Sequence, residues 1–234
     1  MPAESLVVCL GDSNTQGQFS ANYVKRLQDR WPGTRFINAG VNGQLAYNIT
    51  QRLDEVVAQQ PDVVTLLVGT NDVNAQFDAS WLARYRKQQR LPVDPTRSWF
   101  GEQIDVILTR LSETPARLAV LDLPPLGEDL ASRINQLVDQ YNDTLRDVAA
   151  QHGVPVLRLH ERLVALLPEA DPPPYTGDLW LVFRSMLRHA VLRQGWDSIS
   201  ARNGLTLLTD NLHLNDRSAD VVADLISEFL DARV

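Results

Sequence analysis

Five short apolar runs, each followed by residues of helical spacing or by a polar loop, constrain this chain more than any other feature. They occupy residues 6–10, 35–38, 63–68, 117–123 and 154–159. Aliphatic and β-branched runs of this length read as strands buried on both faces. Between them, Tyr23, Val24, Leu27 and Trp31 recur at helical spacing before Pro32-Gly33, and Leu45, Ile49, Leu53, Val56 and Val57 predict one helix over 44–58. Residues 130–150 carry the same period, closed by Gly153, and a last helix is predicted over 218–230. Strands alternating with helices specify a parallel sheet covered on both faces by right-handed crossovers. In such sheets ligands bind beyond the carboxyl ends of the strands.

Three of those ends carry polar, Gly-rich loops. The first is Gly11-Asp12-Ser13-Asn14-Thr15-Gln16-Gly17, the second Ala39-Gly40-Val41-Asn42-Gly43 and the third Gly69-Thr70-Asn71-Asp72. Ser13, Gly40 and Asn71 are therefore predicted to converge. Two readings fit the first loop. Gly-Asp-Ser is a common way to cap a helix; a hydroxyl held at a helix start is also placed to attack a carbonyl while free amides receive the oxyanion. The segment Thr209-Asp210-Asn211-Leu212-His213 near the other end is similarly two-sided. It is either a loop histidine beside an ordinary cap, or an imidazole whose tautomer Asp210 fixes while the other nitrogen faces a hydroxyl. His152 sits at a predicted helix end, where a solvated imidazole is expected. Asp12 and Asp72 read as turn-forming and loop-bracing residues.

Composition narrows the function classes. The 234 residues are 44% hydrophobic, enough for one large domain with a full core. A formal charge of −7 argues against a general nucleic-acid-binding surface, which needs clustered Lys and Arg. The single cysteine, Cys9, lies inside the first apolar run and reads as a buried core thiol, so no intramolecular disulfide or cysteine-rich metal site is expected. Residues 1–5 lack a basic leader and the run after them spans five residues, so neither a signal peptide nor a membrane span is expected, and the default location is cytoplasmic.

Two insertions depart from the alternation, at about 73–99 and 168–208. The first interleaves Phe77, Trp81, Tyr85 and Trp99 with Arg84, Arg86, Lys87, Arg90 and Arg97; it is too long for an ordinary strand-to-helix connection. The second holds the stiff Asp171-Pro172-Pro173-Pro174 and a predicted amphipathic helix over Leu179–Leu192. They either cap the site or pack flat on the core.

Taken together, Gly11-Asp12-Ser13, Gly40 in Asn38-Ala39-Gly40, Asn71 in Gly69-Thr70-Asn71-Asp72, and Asp210-x-x-His213 resemble the SGNH hydrolases, the GDSL-type esterases and lipases. The resemblance implies a single three-layer α/β/α domain over 1–234 with a five-stranded parallel sheet in the flavodoxin-like order 2-1-3-4-5. It implies Ser13 as nucleophile, His213 as general base and then acid, and Asp210 as the residue orienting it. The N–H groups of Ser13 and Gly40 with the Asn71 amide would form the oxyanion hole. The implied activity is hydrolysis of carboxylic esters of small molecules through an acyl-enzyme, with no metal or organic cofactor. Deacetylation of a carbohydrate or metabolite, and acyl transfer on the same triad, remain open beside it, and a non-catalytic binding module is disfavoured by the intact set. The family often carries Gly after the final Asp and Pro after the His, where this chain has Asn211 and Leu214; that departure bears on loop shape and removes no catalytic atom.

Overall fold

A computed structural model describes residues 5–169 and 171–232; residues 1–4, on which the reading of the N-terminus partly rests, lie outside the described residues, as do 170, 233 and 234. The alternation seen in the sequence becomes β1 (Leu6–Gly11), β2 (Arg35–Gly40), β3 (Val63–Leu67), β4 (Arg117–Leu121) and β5 (Val156–Leu157). All pair in parallel, in the order β2-β1-β3-β4-β5. Gly11 lies level with Gly40 on one side and Leu67 on the other, which brings the ends of the three central strands to one edge.

Period-2 alternation splits each central strand between two cores. Val8, Leu10, Val64 and Leu66 face one layer, and Val7, Cys9, Val63 and Leu67 the other. The first layer is built from α3 (Ala46–Thr50), α4 (Leu53–Val57), α5 (Thr70–Phe77), α6 (Ala79–Gln89), α7 (Arg97–Ser112) and α8 (Arg133–Gln151). The second contains α2 (Tyr23–Arg30), α9 (Leu159–Val164), α11 (Trp196–Arg202) and α12 (Asp216–Asp231). Two further helices, α1 (Ser13–Gln16) and α10 (Leu179–Leu192), stand at the carboxyl edge of the sheet or beside it.

Several elements differ from the sequence-based expectations. The helix predicted over 44–58 is two short ones, broken at Gln51-Arg52. At that break the Arg52 guanidinium donates to the carbonyls of Gly11 (3.1 Å), which also accepts from Val41 N–H, and of Ala39 (2.8 Å), tying the start of α4 to the ends of β1 and β2. β5 is only two residues long, because Leu159 already starts α9. The stretch 73–99 contains most of α5, all of α6 and the start of α7, and α7 is the crossover that the sequence pattern left unassigned. α10 occupies the span its periodicity predicted. His152 is not simply solvated: its Nε2 lies 2.7 Å from the Asp105 carboxylate on α7.

Candidate active site

β1 hands the chain directly to α1. Asp12 caps that helix, its carboxylate accepting from the Asn14 N–H at 2.9 Å, and Ser13 is the first helical residue. From two hundred residues further along the chain, the loop between α11 and α12 folds onto this turn. Asp210 accepts the backbone N–H groups of Leu212 (3.1 Å) and His213 (3.0 Å) and turns its two oxygens to His213 Nδ1 at 3.0 and 2.9 Å. His213 Nε2 lies 3.0 Å from Ser13 Oγ. A carboxylate only accepts, so Nδ1 carries the proton and Nε2 is left to accept from the serine hydroxyl. Ser13, Asp210 and His213 are each less than a tenth exposed. Burial lowers the His213 pKa, but the charge and hydrogen bond of Asp210, with Asp12 adding, outweigh it and hold the imidazole above its ordinary 6.5.

Two residues that the sequence reading gave no role fix this geometry. The Asn14 side chain accepts from Leu214 N–H (3.0 Å) and donates to the Leu212 carbonyl (3.3 Å), so the neighbour of Ser13 brackets His213 on both sides. Glu128, in the loop after β4, is 6% exposed and accepts the backbone N–H groups of Thr206, Leu207 and Leu208 at 2.7–3.0 Å. It anchors the strand-like approach to Asp210. Asn14 was visible in the motif; for Glu128 no local signal exists, since its partners are 78–80 residues away. Asn211, standing where glycine is frequent in the resembling family, has φ +74°, a conformation that Asn tolerates better than most residues with a Cβ.

The predicted amide donors separate. Asn71 comes to the site: its Oδ1 accepts from the Tyr85 hydroxyl at 2.6 Å and one N–H of its amide donates to the Gln44 carbonyl at 2.8 Å. That pairing fixes which way the amide points and leaves its second N–H for the cleft, which Asn71 lines together with Ser13 and His213. Gly40 does not line the cleft. Its N–H is taken by the Asn38 side chain at 3.0 Å, and a Cβ there would lie 2.1 Å from the backbone nitrogen of Gln16. Glycine at 40, expected in an oxyanion hole, serves the close approach of β2 to α1. Gly43 lines the cleft instead, at φ +72°, and among the described residues its N–H makes no hydrogen bond.

The cleft, about 120 Å³ and open to solvent, is lined by α6, through Trp81, Arg84, Tyr85 and Gln88, and by α10, through Leu179, Val182 and Phe183. Trp81 and Tyr85 stack at 5.4 Å. Both insertions thus contribute walls to the same space. Among the described residues no group of three His, Cys, Asp or Glu side chains is arranged to hold a metal ion, and no helix is long and apolar enough to cross a membrane.

Beneath the site, Asp12 and Asp72 are fully buried, and each leaves one carboxylate oxygen without a partner. Asp72 does brace a loop, accepting from Ala46 N–H at 3.2 Å. Burial raises the Asp12 pKa to about 6 and that of Asp72 to about 8, the Asp12 charge adding to the latter. A carboxyl raised above its ordinary 3.8 stabilises the fold fully below that value and loses the contribution as pH rises to the folded pKa. The Tm is therefore expected to fall between pH 5 and pH 9, and Asp72→Asn, whose carbonyl still accepts from Ala46, to flatten that fall. An unchanged slope in the variant would show that Asp72 is ionised at neutral pH.

Ser13, His213 and the Asn71 amide thus meet at the carboxyl edge of a parallel α/β sheet. The chain belongs to the GDSL-like lipase/acylhydrolase family, whose model matches residues 9–221. One curated relative, an acetylxylan esterase from Geobacillus stearothermophilus, is 36% identical over 67 residues, 27% of this chain and 31% of that one. The chain thus matches less than a third of that relative's length. Solved structures share the fold over nearly the whole chain. The acetyl xylan esterase AlAXEase matches with a TM-score of 0.66 at 18% identity, over 96% of this chain and 99% of that one. An acetylxylan esterase from Geobacillus stearothermophilus matches at 0.67 and 16%, over 100% and 98%. An α/β hydrolase enzyme from the metagenome of Lake Arreo, Spain, matches at 0.64 and 21%, over 96% and 94%.

Proposed function

We propose that this protein is a serine esterase that cleaves its substrate through an acyl-enzyme on Ser13. One observation carries the reading: an unbroken hydrogen-bonded series from Asp210 through His213 to Ser13, at a cleft wide enough for a small molecule. In the first half-reaction Ser13 Oγ attacks the ester carbonyl and gives its proton to His213 Nε2. His213, held by Asp210, then delivers that proton to the departing alcohol oxygen. In the second, His213 takes a proton from water, whose oxygen attacks the acyl carbonyl; the carboxylic acid leaves and Ser13 regains its hydrogen. No step calls on a metal or an organic cofactor.

The negative oxygen formed in each half is received by the N–H groups of Ser13 and Gly43 and by the Asn71 amide. One such donor contributes about 3 to 4 kcal/mol in comparable acyl-transfer sites. The two glycines separate by experiment. A methyl group at Gly43 meets only the far end of Gln89, at 3.0 Å, in a strained left-handed backbone. Gly43→Ala is expected to lower kcat by about 10- to 100-fold with a modest loss of Tm. Gly40→Ala drives a methyl into backbone and is expected to cost about 3 kcal/mol of stability or more. A Gly40→Ala protein of normal Tm and lost kcat would return Gly40 to the oxyanion hole.

The two insertions form a cap on a single domain, α6 supplying Trp81 and Tyr85 and α10 the apolar Leu179, Val182 and Phe183. Acetylated carbohydrate is a second reading of the substrate, favoured by relatives that are named acetylxylan esterases. Hydrolysis of p-nitrophenyl esters from acetyl to long acyl chains, set beside acetylated sugars, tests both. A chain that hydrolyses no ester and takes no fluorophosphonate label at Ser13 is not an esterase.

A further inference from the structure

We propose that Arg84 selects the substrate, and that this enzyme prefers esters bearing a second, ionised carboxylate; the inference rests on the esterase reading above and names its substrate class. Among the cleft-lining residues Arg84 is the one arginine or lysine, and no Asp or Glu lines the space with it. It belongs to the face of α6 that also carries Trp81, Tyr85 and Gln88, spaced at three, four and seven. Two contacts orient its guanidinium: Nε donates to Gln88 Oε1 at 3.1 Å, and the guanidinium carbon lies 5.8 Å from the centre of the Trp81 ring.

What the guanidinium lacks is a carboxylate. Among the described residues none lies within ion-pair distance, and neither terminal nitrogen donates within the protein. Arg86, two residues on, has Asp94 as partner; Arg26, Arg30, Arg110, Arg146, Arg158 and Arg162 are likewise paired. Of the cations on residues 79–93, Arg86 is paired with Asp94, Lys87 and Arg90 do not line the cleft, and Arg84 is the one that does. The two terminal nitrogens of a guanidinium match the two oxygens of a carboxylate in one plane, and an oriented guanidinium loses less freedom on forming that pair. Leu179, Val182 and Phe183, which line the same cleft, accept the apolar body that joins the carboxylate to the ester. The substrate is thus read at two points: its ester carbonyl at Ser13 and its carboxylate at Arg84.

Two pairs of esters test this and locate the charge. 4-Nitrophenyl hydrogen glutarate, with the carboxylate on the acyl part, is compared with neutral 4-nitrophenyl butyrate. 4-Acetoxybenzoate, with it on the alcohol part, is compared with its methyl ester. In at least one pair the anionic member is expected to have the higher kcat/KM, by about 10-fold or more, as charged hydrogen bonds supply. Arg84→Gln is expected to erase that ratio through the KM of the anionic ester, and Arg84→Lys to restore part of it. No anionic preference in the unaltered protein, or a ratio that survives Arg84→Gln, overturns the proposal. Calorimetric titration of 4-acetoxybenzoate and of mono-methyl glutarate into Ser13→Ala protein, with and without Arg84→Gln, reads the contact without turnover. Arg84-dependent binding beside unreactive esters would overturn the esterase reading and leave Arg84 only as a carboxylate-binding residue; binding that ignores Arg84, beside hydrolysed esters, would overturn this proposal and keep the esterase.

Discussion

Ser13→Ala is expected to lower kcat/KM on every hydrolysed ester by about 10⁴- to 10⁶-fold, with the Tm nearly unchanged. Ser13 Oγ has one hydrogen-bond partner among the described side chains, His213 Nε2, and the helix start at Ser13 is held by the Asp12 cap rather than by its hydroxyl. Removing the oxygen therefore deletes the nucleophile and leaves the packing intact. The remaining amide donors still favour the tetrahedral species, so a residual rate above that in water is expected. The check is steady-state kinetics with thermal unfolding of the same preparation. Retained activity would remove Ser13 from the mechanism and with it the acyl-enzyme.

Asp210→Asn is expected to reduce kcat by about 10⁴-fold, because an amide no longer selects the imidazole tautomer that leaves Nε2 free to accept. A second, directional signature accompanies the loss. In the unaltered protein the His213 pKa is raised above 6.5, so the rate climbs with pH through a value higher than that of a free imidazole. Asp210 supplies most of that rise against a burial that lowers it. In Asp210→Asn burial prevails, and the acid limb of the residual activity moves to lower pH. A pH profile measured on both proteins checks it; an acid limb that stays in place would mean that another group titrates.

Fold and site were unequally legible. Strand runs such as Val63-Val64-Thr65-Leu66-Leu67 declare themselves because both faces are buried; α10 was legible from apolar residues recurring at three and four, although Phe183 and Leu187 of that series stay exposed. The break between α3 and α4 was hidden, since the contacts made there by the Arg52 side chain are to two strands elsewhere in the sequence. Gly40 shows the same limit more sharply. Glycine tolerates both close packing and oxyanion contact, so its identity did not say which of the two it provides; the hydrogen bond to Asn38 and the approach of Gln16 decide.

By itself the amino-acid order determined the parallel sheet and its helical layers, because periodicity and turn chemistry are local properties that each segment carries alone; Ser13, Asn71, Asp210 and His213 stood out as a set only through the resemblance of their motifs to a known family. Only the tertiary structure decided that Gly43 rather than Gly40 faces the cleft and that Asn14 brackets His213. It also decided that Glu128 anchors the loop before Asp210, and that α6 turns Arg84 into the same space as Ser13. Those assignments depend on which groups meet across as many as two hundred residues of chain, and that is fixed by packing two buried faces against one twisted sheet.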